Sequence, residues 1–590
     1  MIVAALAPEA PDAAVAHTML AAAPHRGRSV TTRVHGRCVL GAGTHPDLPE
    51  GSLSGPGDLT AAFTGRLDNA AEVAAAVTRA GFPAASPAPA DLAVSAFRVF
   101  GEHAPDRLRG TFAGVVTDGA RMWCFRDHLG FRPLFFRDDR RAFLVASEPK
   151  QILAGASLAR EPDLAVLEQL FYGRVAGDAG CALRGVSRLP QAHILTTDGR
   201  RPPRTAAYWH PARTVDTLRL SPADADDRLC ELLDQAVARS LRGHDVISLS
   251  GGIDSSAIAA FAAPRGRLAA LSAVYPDFPA VDERRYIEVT AQQCDLELHT
   301  YVQQARALDD ATHWCAALDG PVPMVSIPEL HENYALARRL GFRNVLTGEL
   351  AEFVLGSPRY LLGHLLTHFR WGALARLVGA ERHRGRAWST LGRQLVAACI
   401  PGRLAAWYAR RSSRDAPRRV PDWLDPGYVT AGGEAVELRT PARRRWSAEQ
   451  VRMFGGATVA LDADEACAAR SGVTVRRPFA DVDLWEFFLS LAPETKFPDL
   501  GSKTLVRRVL RGRIPDAVLE RRRKTVFDDH FMAQIDYATL RRLLAHPATH
   551  RVTGVDYGRL ALRLEREDFS IFDWFWAKDL AIIHAFLEQW

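Results

Sequence analysis

The stretch Ser248-Leu249-Ser250-Gly251-Gly252-Ile253-Asp254-Ser255, extended by Ser256, constrains the fold of this 590-residue chain more than any other. An apolar run, Val246-Ile247, leads into it, and small residues from Ala257 to Phe261 lead out. That order predicts a buried strand, a glycine turn and a helix. Serine hydroxyls and free backbone N–H groups then gather at the helix N-terminus, where the dipole favours an anion. The pattern is not G-x-x-x-x-G-K-[ST] and brings no Lys to a terminal phosphate, so it is not a Walker loop. A Ser/Gly turn of this kind also serves as a plain helix cap. The strand before it and the helix after it favour the nucleotide.

The chain is too long for one core, which predicts two or more domains. Net charge is +6, too mild and scattered to indicate nucleic acid. Eight cysteines lie far apart with no C-x-x-C, so neither a disulfide framework nor a zinc site is expected. No run of 18 apolar residues appears, and no membrane partner is expected. The N-terminus carries no signal pattern, which predicts a cytoplasmic enzyme. Residues 1–205 read as short strands with two helical patches, near 69–80 and 91–104, in a layered α/β arrangement with antiparallel sheets. The Pro/Arg-rich stretch Asp198 to Pro211 reads as a linker. From 206 to 590 helices alternate with short apolar strands, at 245–250, 269–274 and 296–301, the rhythm of a doubly wound parallel sheet. Beyond 359 the pattern is mostly helical, with an Arg/Trp-rich insertion over about 360–455.

SGGIDSS resembles the pyrophosphate loop of the ATP pyrophosphatases, which cut ATP into AMP and pyrophosphate to adenylate a carbonyl oxygen. Further motifs follow in order. His25-Arg26-Gly27, Phe63 to Asn69, Arg126-Asp127-His128-Leu129-Gly130-Phe131-Arg132-Pro133-Leu134 and Ala146-Ser147-Glu148 resemble the glutaminase domain of the asparagine synthetase family. Arg477-Pro478-Phe479-Ala480-Asp481 and Lys503 to Arg508 resemble its synthetase domain. The resemblance implies an Ntn-type αββα sandwich followed by an adenine nucleotide α-hydrolase-like parallel sheet with helical additions. It also implies ATP as substrate, Mg²⁺ as cofactor and an AMP-forming carbon–nitrogen ligase.

In glutaminases of this class the residue after the initiator Met is a Cys whose own α-amine serves as base. Here that position is Ile2, and the first cysteine is Cys38. Thr64-Gly65-Arg66 stands where Asn-Gly-Glu would bind glutamine, which reverses a charge. The first domain is therefore expected to be degenerate. In the second domain the resemblance places the nucleotide on Ser248, Ser250, Gly251, Gly252, Asp254, Ser255, Ser256 and Gly348. It places the metal on Asp254 and on Glu352 of Thr347-Gly348-Glu349-Leu350-Ala351-Glu352-Phe353, where the family carries Asp. Glu349 falls at the position of the base that helps the amine lose its proton, and Lys503 at that of an ammonium neutralising developing charge. Lys503 also opens a helix, where the dipole disfavours a cation. Asp282-Glu283 matches a family motif as well, but acids in a first helical turn are expected anyway. His299, His313 and His331 show no ligand spacing.

With ammonia supply lost, the amine must come from elsewhere, and any amine held beside an adenylate closes an amide by proximity, a lactam if both groups belong to one molecule. Lasso-peptide cyclases and β-lactam synthetases both resemble the chain. Glu349 where small-substrate relatives carry a Tyr, the tryptophans Trp371, Trp388, Trp407, Trp423 and Trp446, and the stretch 352–359 favour the cyclase. The expected partner is then a leader-cleaved linear core peptide, with a leader peptidase and a leader-binding protein beside it. A β-lactam-type or other small-molecule ligase, or an ATP-binding scaffold, is the alternative.

Overall fold

A computed structural model describes residues 1–590 except 8–11, 46–49, 140, 174–179, 324, 400–419, 431–439, 457, 502, 522–524 and 547–548. Trp407, Arg410, Arg411, Arg418, Arg419, Arg522 and Arg523 lie outside the described residues.

The first domain contributes strands β1 (Ile2–Leu6), β2 (Ser29–His35), β3 (Cys38–Thr44), β4 (Gly51–Leu53), β5 (Thr60–Leu67), β6 (Gly110–Thr117), β7 (Met122–Arg126), β8 (Phe135–Asp139), β9 (Ala142–Ala146), β10 (Ser187–Arg188), β11 (His193–Thr197) and β12 (Arg204–Ala207). They form two antiparallel sheets, ordered β10-β8-β9-β1-β3-β2 and β12-β11-β7-β6-β5-β4. Alternation along each strand decides the layers, because successive side chains point to opposite faces. In β1, Ile2, Ala4 and Leu6 join Cys38, Leu40, Val115 and Leu195 between the sheets. Val3 and Ala5 face Met19, Leu20 and Ile152 of the helices Ala13–Ala21 and Pro149–Ala156. On the far side, Phe63, Phe112 and Phe125 pack against the helices Ala70–Arg79 and Pro89–Phe100. The result is an αββα sandwich. Part of the expected linker is instead a strand: Arg204–Ala207 pairs with His193–Thr196 at the edge of the second sheet.

The second domain is built on β13 (Asp245–Ser248), β14 (Ala269–Val274), β15 (Glu297–Val302), β16 (Asn344–Thr347) and β17 (Thr474–Arg476), all parallel in the order β15-β14-β13-β16-β17. The central strands β13, β14 and β16 are covered on both faces and are largely apolar, whereas the edge strand β15 is not buried. Val246, Leu271 and Val345 face one side, toward the helices Ile327–Arg339 and Thr458–Ser471. Ile247, Ala270 and Leu346 face the other, toward Pro222–Ser240 and Ile253–Ala262. β17 returns to the sheet after the helical insertion, a strand that the helical pattern beyond 359 conceals. Among the described residues no helix is long and apolar enough to cross a membrane.

Buried ion pairs join the domains. Arg126 and Arg188 of the first grip Asp462 of the second at 2.5 and 2.7 Å, and Arg476 of the second reaches Asp68 of the first at 2.8 Å. Two of the insertion's tryptophans are core. Trp423 donates to Asp573 at 3.0 Å, and Trp446 packs on His364 with 4.7 Å between ring centroids. Trp371 and Trp388 are 56% and 63% exposed.

Candidate active site

The sheet reverses its direction of growth at β13, whose neighbours are β14 on one side and β16 on the other. Open parallel sheets bind ligands in the crevice beyond the strand ends at such a point. Ser248 and Thr347 lie opposite one another there, so the loops that follow them are neighbours. Gly348 is the tightest contact between them. A Cβ on it would sit 2.8 Å from Ser255 N and 3.0 Å from the Asp254 carbonyl carbon. We expect Gly348→Ala to cost about 1–3 kcal/mol of stability through this overpacking. It should also displace the loop, so ATP titrated calorimetrically into the variant should bind more weakly than to the native protein.

The pyrophosphate loop is braced by its own serines. Ser250 N donates to Ser255 Oγ at 3.1 Å, Ser255 Oγ donates to Ser250 O at 3.1 Å, and Ser256 Oγ donates to Gly252 O at 2.9 Å. These contacts turn the chain from strand into the helix Ile253–Ala262. Gly252 caps that helix without any side-chain acceptor, an arrangement suited to an anion.

Lys503 and Asp254 meet across the site with Nζ and Oδ2 2.5 Å apart. Lys503 holds a left-handed backbone, φ 69°, as the residue that starts the helix Thr504–Val509. A non-glycine residue pays strain for that conformation, and such strain gathers at functional positions. Asp254 Oδ1 is buried without a hydrogen-bond partner. An orphaned carboxylate oxygen beside a helix N-terminus fits Mg²⁺, which takes one or two carboxylates and completes its shell with phosphates and water. Among the described residues no three His, Cys, Asp or Glu side chains gather into a ready metal cage. Glu352 lies exposed in the first turn of the helix Ala351–Leu355.

Glu349 is 46% exposed on the cleft, and its Oε2 accepts from Arg477 Nε at 2.9 Å. Arg477 itself is 2% exposed and also pairs with Asp464 and Glu465. Sequence reasoning finds Glu349 by its distance from Gly348 but has no signal for Arg477 as its partner, 128 residues away. It also undervalues Glu283. That carboxylate accepts the Gly251 N–H at 2.9 Å and the Thr525 hydroxyl at 2.6 Å, and pairs with Arg521 at 2.8 Å. Arg521 in turn donates to Gly251 O at 2.9 Å. The motif position is therefore a brace of the loop and more than a favourable helix-start acid. His331 bonds Ser471 at 2.9 Å and His299 lies 3.4 Å from Glu297, both away from the loop.

In the first domain, Ile2 is buried between the sheets, and its N–H donates to Ser147 Oγ at 3.0 Å. Cys38 is buried in the same layer, where burial pushes its thiol up to about 11. Arg66 turns away to pair with Asp68 at 2.8 Å and to donate to the Arg239 carbonyl of the second domain.

The comparisons agree with this division. The asparagine synthase family model matches residues 228–570, and the glutamine amidotransferase domain model matches residues 2–209. The glutamine-hydrolysing asparagine synthetase 3 of Bacillus subtilis (strain 168) is 25% identical over 72% of this chain and 68% of its own. A putative glutamine-hydrolysing asparagine synthetase of Mycobacterium bovis is 28% identical over 38% of this chain and 35% of its own. Carboxyethyl-arginine β-lactam-synthase of Streptomyces clavuligerus is 31% identical over 30% of this chain and 33% of its own. The last two matches thus span about a third of those relatives. With the family model covering more than half of its length, the chain belongs to the asparagine synthase family and is an ATP-dependent, AMP-forming amide ligase.

Proposed function

We propose that the protein closes a macrolactam in a linear, leader-cleaved peptide, as lasso-peptide cyclases do. The observation that carries this is the contrast between the two domains. The Ser248–Ser256 loop with Lys503 and Asp254 is complete, whereas the start of β1 presents a buried Ile2 where a glutaminase would present its nucleophile. The amine is then the substrate's own. The similarity to a β-lactam-synthase supports capture of the adenylate within one molecule. The exposed Trp371 and Trp388, with Phe369 beside Trp371, offer apolar contact to a peptide.

In the first step an Asp or Glu side-chain carboxylate of the peptide attacks the α-phosphorus of ATP, and pyrophosphate leaves. In the second, the peptide's N-terminal amine attacks the acyl-adenylate, the C–O bond to AMP breaks and one amine proton is lost. The loop N–H groups and Ser250, Ser255 and Ser256 orient the phosphates. Lys503 places an ammonium where negative charge builds on the leaving phosphate and the tetrahedral carbon. Glu349 takes the amine proton. Mg²⁺, when bound, would be held by Asp254 with Glu352 and would supply neutralisation of phosphate charge.

The test is incubation with ATP, Mg²⁺ and candidate core peptides from the gene's neighbourhood. The expected result is release of AMP and pyrophosphate together with loss of one water from the peptide mass. Pyrophosphate release with small amino acids and never with peptides would replace the proposal with a β-lactam-type ligase. No pyrophosphate with any acceptor would leave a nucleotide-binding scaffold.

A further inference from the structure

The loop that follows β7 in the first domain is built with care for a domain expected to be inactive. The Asp127 carboxylate gathers its backbone. Oδ1 accepts from the N–H groups of Leu129, Gly130 and Phe131 at 3.1, 2.7 and 3.1 Å, and Oδ2 from that of Arg132 at 2.9 Å. Gly130 sits at φ 74°, and a Cβ there would lie 2.8 Å from Gln191 Cβ. Two side chains thus fixed, Phe131 and Arg132, point at the second domain. The Phe131 ring centroid lies 5.3 Å from the Arg477 guanidinium carbon. Arg132 pairs with Glu50 of its own domain and, at 3.3 Å, with Glu465 of the other.

From Glu465 the contacts run on. Its second oxygen lies 3.4 Å from Arg477 Nη1, Arg477 also pairs with Asp464, and Tyr334 donates to Asp464 at 2.6 Å. Every one of these groups is buried. The chain ends at Arg477 Nε on Glu349, whose carboxylate is the one member that faces the cleft. A charge pair removed from water in this way fixes geometry strictly, because every partner lost leaves an uncompensated group. Burial pushes the Glu465 carboxyl up to about 7, while Arg132 holds it down. Its grip on Arg477 therefore depends on the first domain.

We infer that the amidotransferase-like domain is a positioning part of the ligase site: Phe131 and Arg132, acting through Glu465 and Arg477, fix the Glu349 carboxylate for capture of the amine. The inference rests on Glu349 as the group that takes the amine proton. It gives the first domain a use in the reaction that requires no chemistry of its own, and it makes Arg132 a positioning residue more than 200 positions from the carboxylate it serves.

The experiment uses the full chain and separates the two steps in single turnover with ATP, Mg²⁺ and the linear core peptide. In Arg132→Gln we expect the pyrophosphate burst to stay near the native rate. Amide closure should fall by about tenfold to a hundredfold, the size of effect expected from a small misplacement of a catalytic group. Arg132→Lys should recover part of the closure rate. A second readout needs no substrate: hydrogen exchange of residues 347–353 should quicken in Arg132→Gln while that of β13 and β14 stays as in the native protein. Closure at the native rate, or burst and closure falling together, would overturn the inference, as would unchanged exchange at 347–353. If the native protein cyclises no peptide, the proposed function fails, and the exchange experiment alone decides the brace. Phe131→Leu, which removes only the ring under Arg477, replaces Arg132→Gln if that variant does not fold.

Discussion

Replacing Lys503 with alanine will remove about 10²–10³-fold or more of the rate of pyrophosphate release while leaving the fold in place, the range seen when one preorganised donor to a developing charge is deleted. The expectation rests on three properties of one residue. Its ammonium reaches Asp254 Oδ2 at 2.5 Å across 249 residues of sequence, its backbone is held at φ 69°, and it sits at a helix N-terminus. The helix dipole disfavours a cation there, and the ion pair with Asp254 offsets that cost. We place its value in the charge that builds beside it during reaction. Arginine should not rescue the loss, because a broad planar guanidinium cannot take the place of a compact point charge. Rapid-quench measurement of pyrophosphate, with circular dichroism to confirm the fold, provides the check. A Lys503→Ala enzyme that adenylates at the native rate would move the role elsewhere, with Arg521 the next candidate.

The second large effect concerns the join between domains. Arg126 is completely buried, donating to the carbonyls of Leu189 and Gly130 and to Asp462. Arg126→Ala leaves two carbonyls without this donor and Asp462 with Arg188 alone, so we expect a loss of about 3–5 kcal/mol, the usual cost of breaking a buried charge pair. Arg126→Met, which refills most of the volume and supplies no donor, should return little of that loss. Urea unfolding of the native protein and the two variants distinguishes the outcomes. If Arg126→Met is nearly as stable as the native protein, the damage comes from packing and not from stranded polar groups. Arg188, the other arginine on Asp462, then becomes the residue to vary next.

The parts of this protein that were legible in sequence are those whose signal is local. The strand-turn-helix at Val246–Ala262 is written in consecutive residues. Glu349 and Glu352 follow from their distance to Gly348. What sequence concealed depends on partners far away. β17 is three residues long and is a strand only because β16 lies beside it. Arg204–Ala207 carries the composition of a linker and becomes an edge strand by pairing with β11. Which of the insertion's tryptophans pack inside is also set from afar: Trp423 meets Asp573, and Trp446 lies on His364. The motif at Arg477 was legible, but its link to Glu465 was not, since nothing near Glu465 in sequence announces Arg132.

The separation between Asp254 and Lys503 also sets an order of events. A chain folds from its N-terminus as it is made, and domains fold as units. All twelve strands of the αββα sandwich have been made once Ala207 has emerged, before the first strand of the parallel sheet exists. The pyrophosphate loop follows, but β17, Arg477 and Lys503 come more than 200 residues later. A half-made chain thus carries a nucleotide loop with no cation opposite it and no carboxylate held beside it. The first domain then offers a finished face to Asp462, Glu465 and Arg477 as the second folds against it.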